Sequence, residues 1–124
     1  MDPESINIIN SHNAEHYTWG DQCDGWHLVK SDSLSIIQER MSPGPAETKH
    51  YHQRSRQFFF ILSGEATMEI GSKQVILHVG DGIEIPPLVA HQLRNDSTTD
   101  LHFMVTSMPK SHGDRVVVES IVNI

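Results

Sequence analysis

The chain has 124 residues, 37% of them hydrophobic and 20% charged, and a formal net charge of −7 at pH 7. That length suits a single domain able to bury roughly two-thirds of its surface. The acidic balance leaves no basic stripe for nucleic-acid phosphates, and no apolar run approaches the ~20 residues that span a bilayer.

The first twenty or so residues are polar and read as an arm; residues 1–25 are set apart from a domain over 26–124. The opening segment MDPESINIIN lacks a basic region followed by a long apolar one, and Cys23 has no second cysteine to pair with. Both features suit a cytoplasmic protein in a reducing compartment. From there period-2 patterning and turn residues recur about every 8–12 residues, which predicts an all-β fold. Strands are expected over 26–31, over LSIIQERM at 34–41 and over TKHYH at 48–52. QFFFILSG at 57–64 comes next, and its continuous apolar run predicts cover on both faces. EATMEIG and KQVILHVG flank Gly71-Ser72, a hairpin signal. GIEIPP at 82–87 is stopped by prolines, and HQLRN and LHFMVTS are separated by the loop DSTTD. The segment 107–115 is polar and turn-rich, and the tail DRVVVESIVNI fits either a last strand or a short helix.

Nine histidines stand in this chain. His50 and His52 are two apart, so on a strand they project from the same face and can place their nitrogens on one metal ion. Such a pair arises easily by chance in so histidine-rich a chain; its context is more specific. GPAETKHYHQRSRQFFFILSG (44–64) and GDGIEIPPLVAHQLRN (80–95) carry two glycine- and histidine-spaced motifs. The pair resembles the two motifs of the cupin family, in nearly every fixed position and in all spacings. Two positions depart: Gln57 stands where that family usually has glutamate, and Leu88 where it usually has glycine.

The resemblance implies a double-stranded β-helix, a jelly-roll barrel, holding one divalent metal ion (Zn, Ni, Fe or Mn). It implies His50, His52, Gln57 and His91 as ligands, and a structural role for Asn95. Phe59 and Ile61 share a face with Gln57 and are expected to line the pocket with Phe103, while Phe58, Phe60 and Leu62 pack outside, under a sheet or a partner chain. Gln38 and Arg40 share one face of 34–41 and are candidates to enter the pocket and bind a carboxylate. A homodimer is expected, with the polar arm crossing to the partner.

Three imidazoles and an amide are all neutral, so a bound M²⁺ keeps its full charge and acts as a stronger Lewis acid than beside a carboxylate. A neutral set also disfavours a ferric state. The reading is therefore a metalloenzyme of isomerase or lyase type acting on a small oxygenated ligand, sugar-like or a keto acid. The alternatives are a non-catalytic binding module and a dioxygenase.

Overall fold

The computed structural model describes residues 6–118, and these are all β and loop. Eleven strands succeed one another: β1 (Glu15–Trp19), β2 (Cys23–Lys30), β3 (Ser35–Met41), β4 (His50–His52), β5 (Arg56–Ser63), β6 (Ala66–Ile70), β7 (Lys73–Leu77), β8 (Gly82–Ile85), β9 (His91–Arg94), β10 (Leu101–Met108) and β11 (Arg115–Val117). They form a six-stranded sheet in the order β1-β2-β3-β10-β5-β8 and a five-stranded sheet in the order β11-β4-β9-β6-β7. Every pairing is antiparallel. Nine of these strands fall where the alternation places them. The tail's strand-or-helix ambiguity resolves to a strand over Arg115–Val117; 119–124 lie outside the described residues. Among the described residues no helix is long and apolar enough to cross a membrane.

The arm reading needs correction in its second half. β1 lies within 1–25, β2 begins there, and Cys23 is fully buried. β1 is an edge strand with one half-exposed face, so its residues EHYTW carry too little apolar contrast to announce it.

Inward residues of the two sheets interdigitate to make the core. Phe59, Ile61, Met68, Leu93, Leu101 and Phe103 are each at most 1% exposed, and the Phe59 and Phe103 rings are 6.1 Å apart. The outer row of β5 is only partly covered within the chain: Phe58 is 43% and Leu62 38% exposed. The apolar run therefore has one face in the core and one turned out.

Two turn positions show how backbone geometry constrains the sequence. Gly64 has φ +89°, and a Cβ there would stand 2.5 Å from the carbonyl oxygen of Asp100 and 3.1 Å from Leu101 Cα. Both neighbours are main chain and cannot turn aside. Gly64→Ala is therefore expected to cost about 3 kcal/mol or more, read as a lower urea midpoint at unchanged slope; an unchanged midpoint would refute the close approach. Leu88, at the position where the motif calls for glycine, has φ +71°. The left-handed turn is thus kept without glycine, and the Leu88 amide donates to the His52 carbonyl at 2.7 Å.

Asn95 is fully buried. Its side-chain amide donates to the carbonyls of Met41 (2.9 Å) and Thr99 (2.8 Å), and its Oδ1 accepts from Ser97. This is a stitch between strand ends, in keeping with a structural role.

Candidate metal centre

β4 and β9 pair at His50 and His91, and the two-residue period of β4 brings His52 to the same inner face. The three rings cluster, with centroids 4.9 Å (His50–His52), 4.5 Å (His50–His91) and 5.9 Å (His52–His91) apart. One ring nitrogen from each lies within 4.8 Å of the others. With metal–nitrogen bonds of ~2.0–2.1 Å, a small inward movement would bring all three onto one ion. All three are buried. Burial disfavours the imidazolium and pushes His50 and His52 down to about 4, with His91 also lowered. The rings are therefore neutral at pH 7, the state that ligates.

Their hydrogen bonds select the ligating atom. His50 Nδ1 donates to the Thr48 carbonyl at 2.6 Å and His91 Nδ1 to the Val89 carbonyl at 3.0 Å. In a neutral ring this leaves Nε2 as the lone-pair atom. Gln57 pairs with Ser107 of β10 in register, and its Nε2 donates to Ser107 Oγ at 3.0 Å. That bond turns Gln57 Oε1 toward His91 Nε2, 3.1 Å away. Two lone pairs thus face each other, while among the described residues buried His52 has no hydrogen-bond partner for either ring nitrogen. A cation between these atoms would satisfy all of them at once, so the residues fit a metal ion. Phe59 contributes a ring edge against His91.

This cluster opens on a cavity of about 930 Å³. Of the pocket residues expected from the sequence, Phe59 lines it, whereas Ile61 and Phe103 are fully buried core residues. Gln38 and Arg40 do not enter it. On β3 the inward residues are Ser35, Ile37, Glu39 and Met41, so Gln38 and Arg40 take the outer face. There Arg40 is neutralised by Asp24 (2.7 Å) and Asp100 (3.3 Å), and it also donates to the Gln22 carbonyl. Seven residues of mixed polarity carry no signal of which alternating set is internal.

Several cavity residues are not apparent in the sequence. Glu39 lines the cavity, 8% exposed, and accepts from the Tyr17 hydroxyl at 3.0 Å. Burial, reinforced by nearby Glu47, pushes its carboxyl up to about 8. Glu47 accepts from the Leu93 amide at 3.2 Å; burial pushes it up to about 7, against the pull of Arg115. His27 also faces the cavity, and its Nδ1 has no hydrogen-bond partner among the described residues. Asp114 supports the centre from outside: its carboxylate takes the amides of Arg54 (2.9 Å) and Ser55 (2.8 Å). These bonds hold it below the usual range although burial works against them.

The profile of the cupin domain family matches residues 37–107, more than half of the chain and inclusive of all four candidate ligands. The chain belongs to the cupin family. Among solved structures, a double-stranded β-helix protein from Klebsiella pneumoniae is 16% identical, with TM-score 0.77, covering 93% of this chain and 99% of its own. An RmlC-like cupin from Shewanella frigidimarina is 21% identical, with TM-score 0.76 and coverage of 86% and 93%. A cupin-superfamily sugar phosphate isomerase from Silicibacter pomeroyi is 16% identical, with TM-score 0.71 and coverage of 84% and 76%. At these identities the likeness establishes the cupin fold alone. Among curated proteins none matches this sequence.

The amide at 57 is testable in isolation. Gln57→Glu in this cupin is expected to tighten zinc binding by roughly tenfold, because a charged oxygen replaces a neutral one beside the ion. Ser107 can reverse its hydroxyl and donate to the new carboxylate. Equal zinc dissociation constants would place residue 57 outside the coordination sphere.

Proposed function

We propose that this protein is a metal-dependent enzyme acting on a small oxygenated anion, by isomerase or lyase chemistry that moves a proton without net oxidation. The observation that carries the reading is the convergence of four neutral donors, His50, His52, His91 and Gln57, beside a roomy cavity whose lining includes an exposed cation without an ion pair among the described residues, Arg115.

Arg115 opens β11 and pairs in register with His52. The lysines of the lining are spoken for: Lys30 pairs with Glu15 and Lys110 with Asp32, each at 2.8 Å. Among the described residues Arg115 makes no ion pair. Its charge bears on all three imidazoles and on Glu47. A substrate carboxylate, or another oxyanion, is the natural complement of such a guanidinium. Arg115 thus takes the role that the sequence suggested for Arg40.

A divalent ion held by these donors supplies Lewis-acid polarisation of a substrate carbonyl or hydroxyl. The chain's own part is to orient and to exclude water. Arg115 fixes the anionic end, and Phe59 backs the imidazoles with an apolar surface. Thr48, Val89 and Ser107 hold the donor atoms in their ligating orientation. Neutral ligands leave the ion's charge undiminished, which favours polarisation over one-electron chemistry.

The test is hydrogen exchange in D₂O, followed by proton NMR, with zinc-loaded protein and a panel of 2-keto acids and ketoses. Exchange at the carbon next to the carbonyl is expected for at least one acid, and chelation should abolish it. In Arg115→Gln the KM for acids should rise by about tenfold, with neutral ketoses unaffected. Zinc-loaded protein that exchanges none of the panel would remove the enzymatic reading.

A further inference from the structure

Tyr17, Gly25 and Glu39 are successive partners across β1, β2 and β3. The glycine in the middle allows the outer two to meet: a Cβ on Gly25 would stand 2.2 Å from Tyr17 Cζ. The bare backbone lets the phenol ring lie across β2, so that its hydroxyl reaches Glu39 on the next strand but one. From the segment before β4, Glu47 is close enough to raise the Glu39 carboxyl. The Leu93 amide fixes one Glu47 oxygen. Among the described residues neither carboxyl is in an ion pair, although the charge of Arg115 acts on Glu47, and the hydrogen bonds they accept from Tyr17 and Leu93 reach only Glu39 Oε1 and Glu47 Oε1. Both residues line the cavity on which His52 opens. His52 itself is 4% exposed, and among the described residues neither of its nitrogens has a hydrogen-bond partner; a metal ion takes one of them and leaves the other for a ligand in this cavity.

We propose that Glu39 and Glu47, with Tyr17 as the positioning residue for Glu39, form a subsite for the hydroxyl groups of a polyhydroxylated acid whose anionic end is held by Arg115. The inference rests on the functional reading above and narrows its substrate class. Burial lets the carboxyl pair retain a proton near neutrality. The pair can then both donate and accept, as a hydroxyl does. An ammonium only donates, and in this cavity it would meet the positive charge of Arg115. A volume of about 930 Å³ also leaves room beyond a two- or three-carbon acid.

The experiment compares two acids on the zinc-loaded protein by calorimetry: quinate, and 1-hydroxycyclohexanecarboxylate, the same α-hydroxy acid without the other ring hydroxyls. Wild type is expected to bind quinate about tenfold or more tightly than its partner, because a site built for hydroxyls is left unpaired by the analogue. Glu39→Leu and Glu47→Leu, which can neither donate nor accept, should each remove most of that preference while zinc stays at one per chain. Tyr17→Phe should weaken quinate alone, leaving 1-hydroxycyclohexanecarboxylate unchanged; a merely structural loss would weaken both. Equal affinities in wild type would overturn the subsite and leave the anion-binding reading standing, as would variants that lose both acids alike. Tighter binding of 4-aminocyclohexanecarboxylate than of quinate would reassign the carboxyls to an ammonium. Failure of both hydroxy acids to bind would overturn this inference together with the reading beneath it.

Discussion

His52→Ala is expected to lose the metal altogether, from about one zinc per chain to none. Among the described residues neither ring nitrogen of His52 meets a hydrogen-bond partner, so an ion is what its buried ring is placed to meet. The loss should propagate to stability. A ligand that binds the folded state and not the unfolded one contributes about 2.7 kcal/mol at a hundredfold excess over its dissociation constant, on the order of 10 °C in Tm for a chain of this size. Chelator should therefore lower the Tm of wild type and leave that of His52→Ala unmoved. With the metal stripped from both, the remaining difference should be only what the lost packing of the ring costs, since its two nitrogens lack partners among the described residues. A His52→Ala protein that keeps stoichiometric zinc, or that still responds to chelator, would remove His52 from the centre.

Glu39→Gln is expected to be more stable than wild type at pH 8 and no more stable at pH 4. In the folded protein this carboxyl is raised from 4.5 to about 8, first by burial and then by Glu47. A group that holds its proton more tightly when folded makes folding less favourable as pH rises from its unfolded to its folded value. Below about pH 4.5 it is protonated in both states and exacts no penalty; by pH 8 the penalty is near its full extent. Glutamine keeps the shape and still accepts from Tyr17, but it never ionises. The two values lie several pH units apart, and each such unit corresponds to about 1.36 kcal/mol, so the variant's advantage at pH 8 is on the order of a few kcal/mol. Urea melts of the two proteins at pH 4 and pH 8, compared pairwise, cancel the pH response of the histidines. Equal stabilities at pH 8 would mean that the carboxylate is well solvated or paired. Groups that cost stability and face a cavity are found at binding and catalytic sites.

The candidate metal centre is legible in the sequence through local spacing and the family resemblance that this spacing carries. His50 and His52 need only the two-residue period of a strand, and the spacing of glycines, histidines and Asn95 reports turns at fixed offsets from those strands. Nine strands are legible for the same reason: period-2 alternation between turn residues describes a half-buried strand whatever it packs against. The alternation names two faces without saying which is internal, and β3 is where this matters. Its sets Ser35, Ile37, Glu39, Met41 and Ile36, Gln38, Arg40 are equally mixed in polarity. Pairing with β10 and β2 decides between them, and Arg40 goes to the outer face where Asp24 and Asp100 neutralise it.

β1 is silent in the sequence because an edge strand buries too little to write a hydrophobic pattern, and the Tyr17–Gly25–Glu39 row is silent with it. That row joins residues from three strands, and nothing in the local sequence of any one of them records the other two. Arg115 becomes a cavity cation only because β11 closes on β4 and sets it beside His52. The candidate ligands are thus written in local spacing, while the groups that line the cavity are chosen by sheet pairing, since only the packed barrel brings side chains distant in sequence to one volume and decides how far water reaches each of them.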